Sequence, residues 1–103
     1  MAKLSREEVI ARVASGVSLE KEDISGLDLS RTDLSGADLN GADLNGANLS
    51  SARLMGTNLT KADLRGADLG MADLSRANLH MTKLMGASLS GASLDLANLR
   101  GAY

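Results

Sequence analysis

Residues 36–50 read GADLNGADLNGANLS, three copies of a five-residue unit with Leu39, Leu44 and Leu49 at the same place in each. Outward from this stretch the register holds from Leu29 to Leu99, with Leu at every fifth position, and Leu19 and Ile24 extend it backwards. Two positions before each Leu stands a small residue, which is Ala from Ala37 to Ala102 except at Thr57 and Thr82. Repetition of this kind governs every other reading of the chain. On an α-helix a step of five overshoots a full turn by roughly 140°, so the Leu residues would spiral and form no apolar face. On a flat strand Leu39 and Leu44 would point to opposite sides. The chain can bury all of them on one side only by turning a corner every five residues.

The corner is visible two positions after the Leu. Gly occupies it at Gly26, Gly36, Gly41, Gly46, Gly56, Gly66, Gly86, Gly91 and Gly101. Gly suits the third position of a type II turn, where φ is positive. Arg31, Ser51, Lys61, Met71, Arg76, Met81 and Leu96 replace it elsewhere. Their side chains predict turns without positive φ, hence two turn types mixed along one coil. A chain that always turns the same way winds into a coil whose circuits pair about 4.8 Å apart. Three or four sides are possible. Asn58, Asn78 and Asn98, and Gly26, Gly46, Gly66 and Gly86, fall into columns 20 residues apart, which favours four.

GADLN at 36–40 and 41–45, GANLS at 46–50, KADLR at 61–65 and RANLH at 76–80 resemble the pentapeptide-repeat family, whose unit is A(D/N)LXX. The resemblance covers residues 24–103, with sixteen consecutive units in register. It implies an all-β solenoid: a right-handed quadrilateral parallel β-helix of about four coils, with the central Leu and the preceding Ala pointing inward. Glu22 and Leu27 are too large or too charged for the small inner position, which places the start of the first regular coil near Leu27 or Thr32. Arg53 and Lys83 stand where Asp or Asn is usual, at an outward position that tolerates them.

One domain is expected from 103 residues, divided into an N-terminal capping helix and link over 1–18 and a β-helix over 19–103. Tyr103 is the only aromatic residue. A narrow tube filled with Leu and Ala needs no others, because each buried Leu contributes about 1.5–3 kcal/mol. Without Cys there is neither a disulfide frame nor a thiolate metal site. No stretch approaches the roughly 20 apolar residues of a membrane span. The first residues carry no signal-peptide pattern. A cytoplasmic protein without a membrane partner is expected.

The N-terminal segment breaks the period. Ser5 and Glu8 form a capping box, and Leu4 and Val9 have the spacing of a hydrophobic staple. Val9, Ile10 and Val13 share one helical face, and Gly16 suits the end of a helix over about 6–15. These residues predict a lid on the open end of the coil, where Leu side chains and strand edges would otherwise be exposed. A partner-binding amphipathic helix is the alternative.

No catalytic, cofactor or metal site is expected. His80 follows an inner Leu and so faces solvent, with column neighbours Thr60 and Arg100 that make no triad. Asp28, Asp33, Asp38, Asp43, Asp63, Asp68 and Asp73 precede Leu residues on different sides and diverge. They are read as corner residues that bond nearby backbone. Thr32, Thr57 and Thr82 point inward, where their hydroxyls are expected to meet carbonyls.

Charge divides the chain. Residues 17–52 carry seven acids and two bases, net −5, and residues 53–103 carry four acids and six bases, net +2. The family resemblance implies, for some members, mimicry of DNA toward type II topoisomerases such as gyrase. Mimicry needs a continuous negative surface, which a basic second half interrupts. Dispersed bases without stacking aromatics also argue against nucleic acid. Met55, Met71, Met81, Met85 and Leu96 occupy outer positions suited to adaptable contacts. These features predict a non-enzymatic interaction or scaffold module, with the gyrase modulator as the alternative. The coil ending at Gly101-Ala102-Tyr103 would leave Leu84, Leu89, Leu94 and Leu99 over unpaired backbone. A homodimer through this C-terminal coil, with Tyr103 at the contact, is therefore expected.

Overall fold

A computed structural model describes residues 3–103, and in it the path returns upon itself every 20 residues. Parallel bridges join Asp23 to Asp43, Asp43 to Asp63 and Asp63 to Lys83 on one side, and the same step repeats on the others. Four Leu-centred segments make one circuit. Side 1 carries Leu19, Leu39, Leu59 and Leu79; side 2 Ile24, Leu44, Leu64 and Leu84; side 3 Leu29, Leu49, Leu69 and Leu89; side 4 Leu34, Leu54, Leu74 and Leu94. The molecule measures 30 × 21 × 20 Å.

Three backbone bonds per side tie one circuit to the next. On side 2 the Leu44 N–H reaches Asp63 O at 2.8 Å, Gly46 N–H reaches Arg65 O at 2.9 Å, and Asp63 N–H reaches Ala42 O at 2.9 Å. These bonds satisfy the inward-facing backbone, which a narrow apolar tube could not otherwise tolerate. Within the tube every central residue from Leu19 to Leu79 is fully buried, and the Ala residues from Ala37 to Ala77 are buried beside them. Thr32 and Thr57 share the small inner position because their hydroxyls donate to Leu29 O at 2.6 Å and Leu54 O at 2.9 Å. Thr82 reaches across to Leu59 O in the preceding circuit at 2.7 Å.

The corners differ from the sequence expectation in one respect. Positive φ is not confined to glycine. Lys21, Arg31, Ser51, Lys61, Met71, Arg76, Met81 and Leu96 all lie between 57° and 61°, beside glycines at 65° to 74°. One corner geometry serves every side, with a bond such as Ala47 N–H to Leu44 O at 3.0 Å or Ala52 N–H to Leu49 O at 3.0 Å. The reason is cooperative. A corner of another kind would shift both neighbouring circuits out of register. Inter-circuit bonds therefore hold the non-glycine corners in the left-handed region at a cost of about 1–2 kcal/mol each.

The regular path also begins earlier than expected. Leu19 is already buried and its N–H bonds Asp38 O at 2.9 Å, two to three units before those of Leu27 or Thr32. Glu22 and Leu27 are half-buried rather than enclosed. Both lie in the first circuit, where the inner position faces the N-terminal segment and not another layer of Leu. Glu22 uses that opening to meet Arg12 at 2.7 Å.

That segment forms helix α1, Arg6–Ala14. Ser5 Oγ accepts from Glu8 N–H at 3.1 Å and Glu8 Oε1 accepts from Ser5 N–H at 2.9 Å, closing the capping box. Leu4 and Val9 are buried in the same cluster as Leu19 and Ile24, and Val13 packs against it half-buried. Ile10 does not join them. It is 39 % exposed on the flank of α1. At 3.6 residues per turn, Ile10 lies about 100° from Val9, which turns it from the end of the coil toward the groove beside side 4.

Two predictions follow from the tube and its corners. Leu64→Ala should cost about 2–5 kcal/mol, because the surrounding layer cannot collapse into the space. Arg65→Ala, one position away on the outside, should cost no more than about 1 kcal/mol. Urea unfolding of both variants checks the pair. At Gly46, φ is 68° and open space surrounds the position of a Cβ, so Gly46→Ala isolates the conformational cost. It should lose about 1 kcal/mol, whereas Ser51→Gly should leave stability unchanged or raise it by up to about 1 kcal/mol.

Candidate interaction surface

The outward residues are ordered by the same step of 20. Where an Asp or Asn precedes the Leu, its carboxyl or amide oxygen accepts from the N–H two residues on. Asp38 holds Asn40 at 3.1 Å, Asn58 holds Thr60 at 3.1 Å, Asn78 holds His80 at 3.0 Å and Asn98 holds Arg100 at 3.0 Å. The same bond recurs from Asp43 to Asn45 at 3.0 Å and from Asp68 to Gly70 at 2.9 Å. This is the local bond for which short polar side chains favour corners. It commits one side-chain oxygen of each to the protein's own backbone. Among the described residues, no group of three or more His, Cys, Asp or Glu side chains is arranged to hold a metal ion.

Bases break up the acidic columns. On side 2, Asp23, Asp43 and Asp63 are followed by Lys83, and Arg65 grips Asp63 with Nη2–Oδ2 at 2.7 Å and Nε–Oδ1 at 2.9 Å. On side 4, Arg53 stacks between Asp33 and Asp73 and approaches Asp33 at 4.0 Å. The Arg65 guanidinium holds the Asp63 carboxyl down at about 2. Hydroxyl donors lower Asp23, Asp28 and Asp73 in the same direction through Ser25, Ser30 and Ser75. The Ser35 amide does so for Asp33. His80 lies half-exposed on side 1, in the column of Thr60 and Arg100.

Three large corner side chains lean along a bare corner 20 residues later. Lys21, Met71 and Met81 precede Gly41, Gly91 and Gly101 in their columns, whereas Lys61 and Arg76 precede Met81 and Leu96. A Cβ built on Gly91 would meet Met71 Sδ at 2.5 Å, one on Gly101 would meet Met81 Cγ at 3.1 Å, and one on Gly41 would meet Lys21 Cγ at 3.3 Å. The pairing of Met71 with Gly91 was available in the sequence once columns of 20 were drawn. Met85 is exposed after Leu84 of side 2, and Met55 and Leu96 after Leu54 and Leu94 of side 4, Leu96 to 75 %.

At the C-terminal end Leu84, Leu89 and Leu94 are half-buried, while Leu99 and Tyr103 are exposed. Leu84 N–H bonds Tyr103 O at 3.2 Å. Among the described residues the amides of Leu89, Leu94 and Leu99 have no backbone partner of the kind that every earlier Leu has. At the other end, α1 with Ser5, Glu8, Val9 and Val13 stands over the first circuit, and Ile10 faces outward. Sequence reading missed two contacts there. Arg6 Nη1 donates to Asp28 O at 2.6 Å and to Ser30 O at 3.3 Å, and Arg12 pairs with Glu22. Neither Arg obeys a period, so no pattern marked it.

The family model for pentapeptide repeats matches in 8 copies over residues 15–50, 23–60, 52–91 and 82–103, and the chain belongs to the pentapeptide-repeat family. It is similar to a pentapeptide repeat protein from the cyanobacterium Cyanothece 51142, at 38 % identity and a TM-score of 0.83, over 84 % of this chain and 58 % of that one. A pentapeptide repeat protein from Nostoc Pcc 7120 is 37 % identical with a TM-score of 0.86, over 91 % of this chain and 78 % of that one. A pentapeptide repeat protein of the Arabidopsis thaliana thylakoid lumen is 36 % identical, over 82 % of this chain and 63 % of that one, with a TM-score of 0.50. This chain thus spans little more than half the length of the Cyanothece protein. No match is found among curated proteins. Among the described residues, no helix is long and apolar enough to cross a membrane.

The Asp63–Arg65 pair generates a pH prediction. The folded pKa, about 2, lies below the ordinary 3.8, so the carboxylate's contribution is complete above about pH 4 and is lost as pH falls through 2. Asp63→Asn should therefore be less stable than the parent at pH 6, and the two should converge near pH 2. Denaturation midpoints measured across that window check it. A constant difference at every pH would mean that the pair contributes through packing alone.

Proposed function

We propose that this protein is a non-enzymatic interaction or scaffold module of the cytoplasm, built as about four circuits of a right-handed quadrilateral coil capped by α1. One observation carries the reading. Outward side chains on all four sides are held at a constant step by backbone bridges every 20 residues, so the surface is a rigid lattice that needs no ordering when a partner docks. One oxygen of each Asp and Asn in this position is engaged with a corner amide. The gyrase-modulator alternative requires a continuous negative face, and Arg53, Arg65 and Lys83 interrupt the acidic columns of sides 2 and 4.

We further propose a homodimer through the C-terminal coil. Support comes from the unpartnered amides of Leu89, Leu94 and Leu99 among the described residues, with exposed Leu99 and Tyr103 beside them. An isologous contact would cover both sets of groups at once. Light scattering coupled to size-exclusion chromatography should give about twice 10.6 kDa at micromolar concentration. Leu99→Glu should return the protein to the monomer with its circular dichroism unchanged. A monomeric parent protein would sink the dimer. Inhibition of gyrase supercoiling by the pure protein would replace the scaffold reading with its alternative.

A further inference from the structure

Helix α1 closes the N-terminal end of the coil unevenly. On side 3 the Arg6 guanidinium donates to Asp28 O and Ser30 O. One circuit later the equivalent carbonyls, Asn48 O and Ser50 O, accept the amides of Leu29 and Arg31 at 2.7 and 3.0 Å. Arg6 thus substitutes for the amides of a missing circuit. Side 4 has no such substitute. Its later circuits pair Leu34 N–H with Arg53 O, Gly36 N–H with Met55 O, and Arg53 N–H with Thr32 O. In the first circuit the corresponding groups are Asp33 O, Ser35 O and Asp33 N–H, and among the described residues none of the three has a partner.

These groups border a groove of about 520 Å³ whose opposite wall is α1. Ile10, Val13 and Ala14 supply the apolar face, while Arg6 and Arg31 stand along it. The groove meets a second hollow of about 220 Å³ that shares Val13 and Ser35 and continues past Val17 to Ala37 and Asp38. Ile10 and Val17, outside the buried cluster, are therefore the exposed apolar wall of one slot. Arg31 makes no ion pair among the described residues, whereas Asp33 already faces Arg53.

We propose that this slot takes an extended peptide segment of a partner protein, which adds as a parallel strand to the first circuit of side 4. The peptide's amides would donate to Asp33 O and Ser35 O, and one of its carbonyls would accept from Asp33 N–H. Strand addition to a sheet edge supplies affinity through such main-chain bonds, and alternate side chains supply specificity. Apolar residues at alternate positions would meet Ile10, Val13 and Ala14. An acidic residue would meet Arg31, which makes no ion pair among the described residues and lines the part of the slot away from Asp38. A second copy of the chain does not suit the site, because an end of the coil about 20 Å across is far wider than a one-strand groove beside α1. The proposal rests on the interaction role proposed above and assigns it a face and a partner chemistry.

The probe is a capped, fluorescein-labelled hexapeptide alternating valine and glutamate, titrated against the full chain by fluorescence anisotropy. Binding is expected with Kd of about 10–100 μM. Arg31→Glu and Ile10→Glu should each weaken it roughly tenfold, both at exposed positions that leave the unfolding midpoint in place. Met85→Ala, on side 2, should leave it unchanged. Methylating the backbone nitrogens of the peptide should weaken it roughly fivefold or more, and the bound peptide should slow hydrogen exchange at the Asp33 amide. Equal binding of the methylated peptide, or of a valine–lysine peptide, would overturn strand addition. So would no binding up to about 1 mM, or an Ile10→Glu variant that dissolves a dimer of the parent protein. A failed peptide titration alongside a C-terminal dimer would remove the slot and leave the scaffold reading, so the two failures are distinguishable.

Discussion

Each circuit of this protein is held by hydrogen bonds to the residue 19 or 21 positions away, and all else is arranged around keeping that step constant. A backbone that pairs upward and downward at every side can enclose an apolar tube without unsatisfied groups inside it. The tube then accepts one Leu and one small residue per side and nothing larger. Because the pairing is parallel and in register, a local irregularity would propagate to both neighbouring circuits. This explains why eight non-glycine residues, among them Arg31 and Leu96, hold φ near 60°. The strain is local and the pairing that opposes it is cooperative.

The same constraint creates the ends as special places. Interior circuits have each other; the first and last do not. At the N-terminal end the chain uses a helix, whose backbone cannot pair with a strand edge, so side chains stand in for amides. Arg6 does this on side 3, and Lys3 reaches only a side chain, Ser25 Oγ, at 3.4 Å on side 2. Among the described residues the edges of sides 1, 2 and 4 keep unpaired backbone groups, and on side 4 these lie beside an apolar helix flank. A straight helix on a square end cannot cover all four edges.

Outside the tube, function is a matter of which side chains the lattice displays. The Asp and Asn residues before each Leu look like an acidic array in one dimension. In three dimensions they turn inward to corner amides, and Arg65 and Arg53 lie against Asp63 and Asp33. The lowered pKa values of Asp63 and Asp33 are consequences of these ion pairs and of holding the corners. The surface is therefore mixed in charge, with scattered Met and Leu side chains of which Met71 and Met81 lie along glycine corners.

The five-residue period by itself determined that Leu64 faces inward and Arg65 outward and that the path has corners; columns such as Asn58, Asn78 and Asn98 favoured a circuit of 20 residues over one of 15, and the parallel bridges of the structure decided it. The period could do so because burial acts on each unit alike, and an equal demand at every unit writes a period into the sequence. The capping box of Ser5 and Glu8 was legible for the same kind of reason, since its bonds span only three residues. Turn type at Arg31 or Met71 was not legible, because local preference favours negative φ there and only pairing with two other circuits overrides it. Nor was the fit of Glu22 and Leu27 into the first circuit, the pairing of Arg12 with Glu22, or the slot between Ile10 and Asp33. Each depends on where α1 comes to rest on the first circuit, a single event of tertiary packing that occurs once and so leaves no repeat in the sequence.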